Sequence, residues 1–186
     1  MEDVMIDLET LGRRAGCTIL SIGAVGFNPK APVVHSEDDI AIKKTLGPEL
    51  YVIVNRADCR ALGLHEDPAT LSWWDKQSRA AKAVVEEATN GGFPLDEALD
   101  KLTTFLAQFD HKKVRVWGNG ADFDNAILAH CYAAVGREPP WLFWNNRCFR
   151  TLKALYPRDK MVRTGTYHNA LDDAKTQALH AAYLLE

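Results

Sequence analysis

No stretch of the 186-residue chain strings together the roughly 18–20 uncharged apolar residues of a membrane span. No basic segment leads into a short apolar one, as a secretion signal would. The expectation is a cytoplasmic protein with no membrane partner. Cysteine is scarce: Cys17, Cys59, Cys131 and Cys148 lie far apart, with no C-x-x-C pair among them. That spacing argues against a zinc ribbon and against a disulfide framework. Reduced thiols fit a cytosolic chain. An overall basic excess is also missing. The formal net charge is −3, which argues against nucleic-acid binding through general basicity. Repeats, low-complexity tracts and Ser/Gly linkers are absent. At this length about 70% of the unfolded surface can be buried, so residues 1–186 are read as a single domain that needs no covalent staple.

What is present is a soluble globular balance, 47% hydrophobic and 25% charged. The charge is uneven. Between Arg147 and Arg163 stand Arg147, Arg150, Lys153, Arg158, Lys160 and Arg163 against Asp159 alone, a local +5 that leaves −8 for the rest. Such a run is either a solvated face or a polyanion contact.

Val4–Leu8 and Ile19–Phe27 are rich in Val and Ile and bounded by Gly and Pro, and they predict strands. One or two more strands are expected between Val33 and Val54, the clearest at Leu50–Val54. Pro68 opens a helical stretch over Ala69–Gln77, and Ser78–Glu87 continues helically after a break. Asn90-Gly91-Gly92 is a turn. Pro94 starts a helix with Leu95, Leu99, Leu102, Phe105, Leu106 and Phe109 on one face. Val114–Trp117 is a short strand and Phe123–Val135 a helix closed by Gly136. A strand is expected near Leu142–Trp144, a short helix at Thr151–Tyr156, and a last helix from Ala170 to about Leu185. Strands followed by alternating strands and helices predict an α/β domain with a mixed central sheet flanked by helices.

Three acidic motifs stand out. In Asp7-Leu8-Glu9, positions i and i+2 of a strand share a face, so both carboxylates project together and Leu8 goes the other way. Paired anions repel and favour a nearby cation. Hard divalent ions take such oxygen ligands. Asn119-Gly120-Ala121-Asp122-Phe123-Asp124 links a strand to a helix, the place where open α/β sheets bind ligands. Asp122 suits an N-cap there; Asp124, two residues on, is helical and lies on another face, so capping does not explain it fully. In His168-Asn169-Ala170-Leu171-Asp172-Asp173, Asn169 can cap the last helix and Asp172 is favoured by its dipole. His168 then precedes the helix, where an imidazole can act as a base near neutral pH.

Taken in order, D-x-E, N-x-x-x-F-D and H-x-x-x-x-D resemble the motifs of the DEDD 3′–5′ exonuclease superfamily of the ribonuclease H-like fold, in its histidine-containing branch (DEDDh). Relatives include proofreading exonuclease subunits, ribonuclease T and oligoribonuclease. Thr18–Ala24, Leu71–Gln77 and Arg150-Thr151-Leu152 look most like a subgroup with phage exodeoxyribonuclease A and a mycobacterial-type exoribonuclease. The resemblance implies a ribonuclease H-like fold, a free-standing nuclease domain, and a bacterial or phage-infected host cytoplasm. It implies Asp7, Glu9, Asp124 and Asp173 as carboxylates for two divalent ions, Mg²⁺ or Mn²⁺, and His168 as general base. Asp7 is expected to bridge the ions, Glu9 and Asp173 to complete one site, and Asp124 to support the other. The implied reaction releases nucleoside 5′-monophosphates from the 3′ ends of single-stranded DNA or RNA, with DNA as the working expectation and a non-catalytic nucleic-acid-binding module as the rival of another class. A homodimer is compatible with the resemblance. Substrate contacts are expected from Thr10 and Leu11 in the loop after the first strand, Leu11 either as a wedge or packed inward. One of Trp73 and Trp74 is expected to stack on a base. Gln77, one turn on, and Arg150, toward phosphate, complete the set.

Overall fold

The computed structural model describes residues 1–31, 45–157, 163 and 165–186. Part of the expected strand region after Val33 lies outside these residues, as do Arg158 and Lys160. Five strands form one mixed sheet in the order β3-β2-β1-β4-β5. They are β1 (Asp3–Thr10), β2 (Ile19–Phe27), β3 (Leu46–Ile53), β4 (Arg115–Gly118) and β5 (Asn146–Cys148). The first three pair antiparallel, while β4 runs parallel to β1 and β5 parallel to β4. The helices are α1 (Arg56–Ala61), α2 (Pro68–Trp74), α3 (Arg79–Asn90), α4 (Leu95–Leu106), α5 (Ala126–Ala134), α6 (Phe149–Leu155) and α7 (Ala170–Leu185).

Side-chain alternation along β1 divides the molecule into layers. Val4, Ile6 and Leu8 join the larger core with Leu95, Leu99 and Leu102 of α4 and Ile127 and Leu128 of α5. Met5 turns to the opposite face, where Val25, Phe27 and Trp117 pack on Phe149 and Leu152 of α6 and on Ala174, Ala178 and Ala181 of α7. The small alanines let α7 lie close to the sheet. At Gly23 the approach is closest, and any Cβ there would run into the backbone of Ala170 and Leu171. A third cluster joins Leu11, Leu20, Trp74, Ala81, Val84 and Ala88. At the start of β1, buried Asp3 is held by Arg115 (Nε–Oδ1 2.7 Å) and by the Trp117 indole N–H (2.8 Å).

The expected elements differ from the observed ones in instructive places. The run Leu142–Trp144 is not a strand. Phe143–Asn145 is a 3₁₀ turn with Phe143 and Trp144 exposed, and β5 starts at Asn146. The Asn146 side chain sets that start by accepting from Trp141 Nε1 (2.8 Å) and Asn125 Nδ2 (3.0 Å). Asp122 caps no helix. Ala121–Asn125 is instead a π-helical turn begun at Gly120 without a side-chain cap, and α5 follows it. Asn125 secures the turn through a 3.0 Å bond to the Val116 carbonyl. Single π turns of this kind often mark functional positions. Asp67 caps α2, which stops at Trp74 instead of reaching Gln77. All four cysteines are free thiols. Among the described residues no helix is long and apolar enough to cross a membrane.

Candidate active site

The alternation that puts Leu8 in the core sends Asp7 and Glu9 to the α7 face at the carboxyl end of β1, both nearly buried. Asp124 comes from the π turn and is 2% exposed. Gly118 at the end of β4 makes room for it, since a Cβ there would stand 2.8 Å from Asp124 Oδ2. Asp173 arrives in the first turn of α7, which is seated against Gly23, the cross-strand partner of Asp7. His168 precedes the N-cap Asn169 and has a φ of 62°, the sole left-handed value among the described non-glycine residues. Its ring stands edge-on to Trp73 at 5.0 Å and to Trp74 at 5.9 Å. Asp172 carries the turn before it, accepting from the Thr166 N–H at 2.8 Å.

Four carboxylates so close and so dry resist ionisation. Burial holds Asp7 well above the usual carboxylate range, reinforced by the charges of Asp124, Glu9 and Asp173 and opposed by a hydrogen bond from Gln177. Glu9 is pushed up to about 8, by burial first and then by Asp173 and Asp124. Asp124 rises to about 7 through burial, although several backbone N–H groups oppose the shift. Burial also raises Asp173, countered by the Arg163 guanidinium. These groups fit divalent cations. Glu9, His168 and Asp173 can each offer a ligand atom within 4.8 Å of the others. Asp124 Oδ2 is buried and has no hydrogen-bond partner among the described residues, an acceptor that a cation would satisfy. The site opens into a cleft of about 590 Å³ whose lining includes Asp7, Glu9, Asn119, His168, Asp173 and Gln177.

Residues 2–185 match the family described as the 3′-5′ exoribonuclease Rv2179c-like domain. The chain belongs to that family. It is also similar to the exodeoxyribonuclease of Enterobacteria phage T4, with 23% identity over 168 residues, 81% of this chain and 70% of the phage protein. Its fold matches the nuclease domain of 3′hExo, a DEDDh family member solved with rAMP, at a TM-score of 0.60 and 13% identity over 98% of this chain and 90% of that one. E. coli ExoI in complex with single-stranded DNA gives a TM-score of 0.63 and 12% identity. That match covers 97% of this chain but 39% of ExoI. The fold is therefore the DEDDh, ribonuclease H-like α/β fold. The Rv2179c-like chain is a 3′–5′ exonuclease of the DEDDh type, a class that uses divalent metal ions.

In this Rv2179c-like domain the five motif residues Asp7, Glu9, Asp124, His168 and Asp173 converge, while the expected substrate residues divide. Trp74 is 3% exposed and its indole N–H donates to the Thr10 carbonyl (2.9 Å), so it belongs to the core. Trp73 is 42% exposed beside His168 and is the one available for stacking. Leu11 is fully buried against the Leu20–Trp74 cluster, which corrects the wedge reading in favour of inward packing. The Thr10 hydroxyl is spent on the Gly12 carbonyl (2.7 Å). Gln77 lies beyond the end of α2 and donates to the Trp73 carbonyl (3.0 Å). Arg150 is exposed over the Gly120 turn, next to the loop that carries Asp124. The basic run splits: Lys153 and Arg163 line the cleft, whereas Arg147 is tied to the backbone of Trp144 and Asn146. Two cleft residues escaped the sequence reading: Gln177 donates to Asp7 at 2.7 Å, and His180 lies at the cleft wall. Arg163, read only as part of the basic run, pairs with Asp173. Gln177 and His180 stand four and seven residues after Asp173 on one helical face, a signal the sequence did carry.

Proposed function

We propose that the protein removes nucleoside 5′-monophosphates one at a time from the 3′ end of single-stranded nucleic acid, with two divalent cations. The observation that supports this best is the meeting of Asp7, Glu9 and Asp173 in one cleft beside His168, with buried Asp124 close enough for its charge to act on Asp7 and Glu9. When bound, Mg²⁺ or Mn²⁺ ions supply charge stabilisation for both the attacking and the leaving oxygen of an in-line displacement. Asp7, Glu9, Asp124 and Asp173 would hold the cations. His168 takes the proton of the attacking water at its imidazole, oriented by its left-handed backbone and by the rings of Trp73 and Trp74. Trp73 offers a stacking face to a base, which is sequence-tolerant. Arg150 and Lys153 offer positive charge to backbone phosphates.

The family description favours RNA, whereas the sequence reading leaned to DNA and the phage relative is an exodeoxyribonuclease. A time course on 3′- and 5′-labelled single strands of both polymers, with Mg²⁺, Mn²⁺ or EDTA, separates these readings. A metal-dependent ladder from the 3′ end is expected, absent in Asp7→Ala. His168→Ala is expected to lose most of the turnover while still binding Mn²⁺. Binding without cleavage in either metal would refute the enzymatic reading. The homodimer has no support in the described fold or in the relatives' descriptions.

A further inference from the structure

We infer that Arg163 is a built-in cation of the carboxylate cluster, seated on Asp173 until divalent ions displace it and then offered to the substrate's terminal phosphodiester. This rests on the metal-dependent reading above. The Arg163 guanidinium pairs with Asp173, one of three residues whose ligand atoms converge within 4.8 Å. A carboxylate oxygen engaged by a guanidinium is not free to ligate a metal, so the two cations compete for Asp173. By reciprocity, whatever Arg163 subtracts from metal affinity the metal subtracts from the ion pair.

Two other contacts keep Arg163 at the cleft wall independently of Asp173. Its Nη2 donates to the Thr166 carbonyl at 2.6 Å, and its guanidinium carbon lies 4.0 Å from the centre of the Tyr167 ring. Both partners immediately precede His168 in sequence. Release of the carboxylate therefore leaves the positive charge beside the general base. Donors remain for a new anion, because a guanidinium carries five N–H groups and Arg163 Nε is buried without a hydrogen-bond acceptor among the described residues. A phosphodiester oxygen is the anion that this cleft receives, and planar guanidinium suits it.

Calorimetric titration of Mn²⁺ into the wild-type chain, Arg163→Gln, Arg163→Lys and Asp7→Ala tests the competition without turnover. Arg163→Gln is expected to bind Mn²⁺ about fivefold or more tightly than wild type, with Arg163→Lys between them. Binding of a fluorescent single-stranded oligonucleotide in Mn²⁺, in the His168→Ala background, is expected to weaken about tenfold on Arg163→Gln. A merely structural Arg163 would lower both affinities together with the melting temperature. Unchanged or weaker Mn²⁺ binding in Arg163→Gln, with wild type binding normally, overturns the inference alone. Wild type and Asp7→Ala binding no Mn²⁺ would instead overturn the metal reading and, with it, this inference.

Discussion

Gly23→Ala is the most demanding test of how the fold assembles the site. Residue 23 lies on β2 directly across from Asp7, and the start of α7 rests on it. An added Cβ would meet three backbone atoms of Ala170 and Leu171, each closer than ordinary contact by more than about 1 Å. Backbone atoms cannot rotate aside as a side chain does, so the 16-residue α7 must lift at this end. Forced overpacking costs about 1–3 kcal/mol, and this site belongs near the top of that range. For a domain of this size each kcal/mol lowers the melting temperature by about 2–4 °C, which predicts a fall of roughly 5–12 °C. Asp173 sits in the lifted turn, so the variant should also lose much of the thermal stabilisation that Mn²⁺ gives the wild type. Differential scanning calorimetry with and without Mn²⁺ reads both effects. Gly91→Ala is the control, because a Cβ there meets nothing nearer than the Glu87 carbonyl at 3.7 Å and the backbone is extended. If Gly23→Ala melts like Gly91→Ala and responds equally to Mn²⁺, the seating of α7 on Gly23 does not position Asp173.

Two further outcomes follow from the charges and the tryptophans. In the folded, metal-free chain Glu9 titrates near 8 and Asp124 near 7, above their ordinary values of 4.5 and 3.8. The folded state therefore holds more protons than the unfolded one between about pH 4 and 8, and stability should fall as pH rises through that window. Thermal melts from pH 5 to 8 in EDTA are expected to show the decline. Saturating Mn²⁺ should remove it, and a flat EDTA profile would contradict the buried-acid account. Trp73→Ala should weaken oligonucleotide binding by about 1–3 kcal/mol with little change in melting temperature. Trp74→Ala should instead destabilise the fold by about 3–5 kcal/mol, and equal effects of the two variants would refute their division into stacking and core roles.

The five motif residues were legible because each combines a local rule with a chemical oddity. Alternation places Asp7 and Glu9 on one face, capping accounts for Asn169 and leaves His168 unexplained, and capping does not fully explain Asp124. The main helices followed from periodicity and from Ser78, Asn169 and Pro68 at their starts. What escaped depends on contacts between distant segments. Nothing local tells that Leu142–Trp144 fails as a strand, because the start of β5 is fixed by side chains of Asn125 and Trp141. Asp122 has an N-cap's identity, but the π turn is held by Asn125 reaching back to Val116. The sheet's layering decided which tryptophan is buried and turned Leu11 inward. Arg163 looked like one member of a basic run, and its pairing with Asp173 spans an approach that no spacing rule describes.

Strand β1 carries the core and the chemistry on alternate residues, and this makes its alignment a single setting for both. A slip of one position against β2 and β4 would turn Val4, Ile6 and Leu8 toward α7 and drive Asp7 and Glu9 into the apolar layer beneath α4. No intermediate arrangement exists, because a strand has only two faces. Asp3, clasped by Arg115 and Trp117 at the far end of the strand, opposes such a slip. The carboxylate pair at residues 7 and 9 is thus anchored by a residue at the opposite end of the strand, and errors in strand alignment during folding are penalised twice, once as lost packing and once as buried charge.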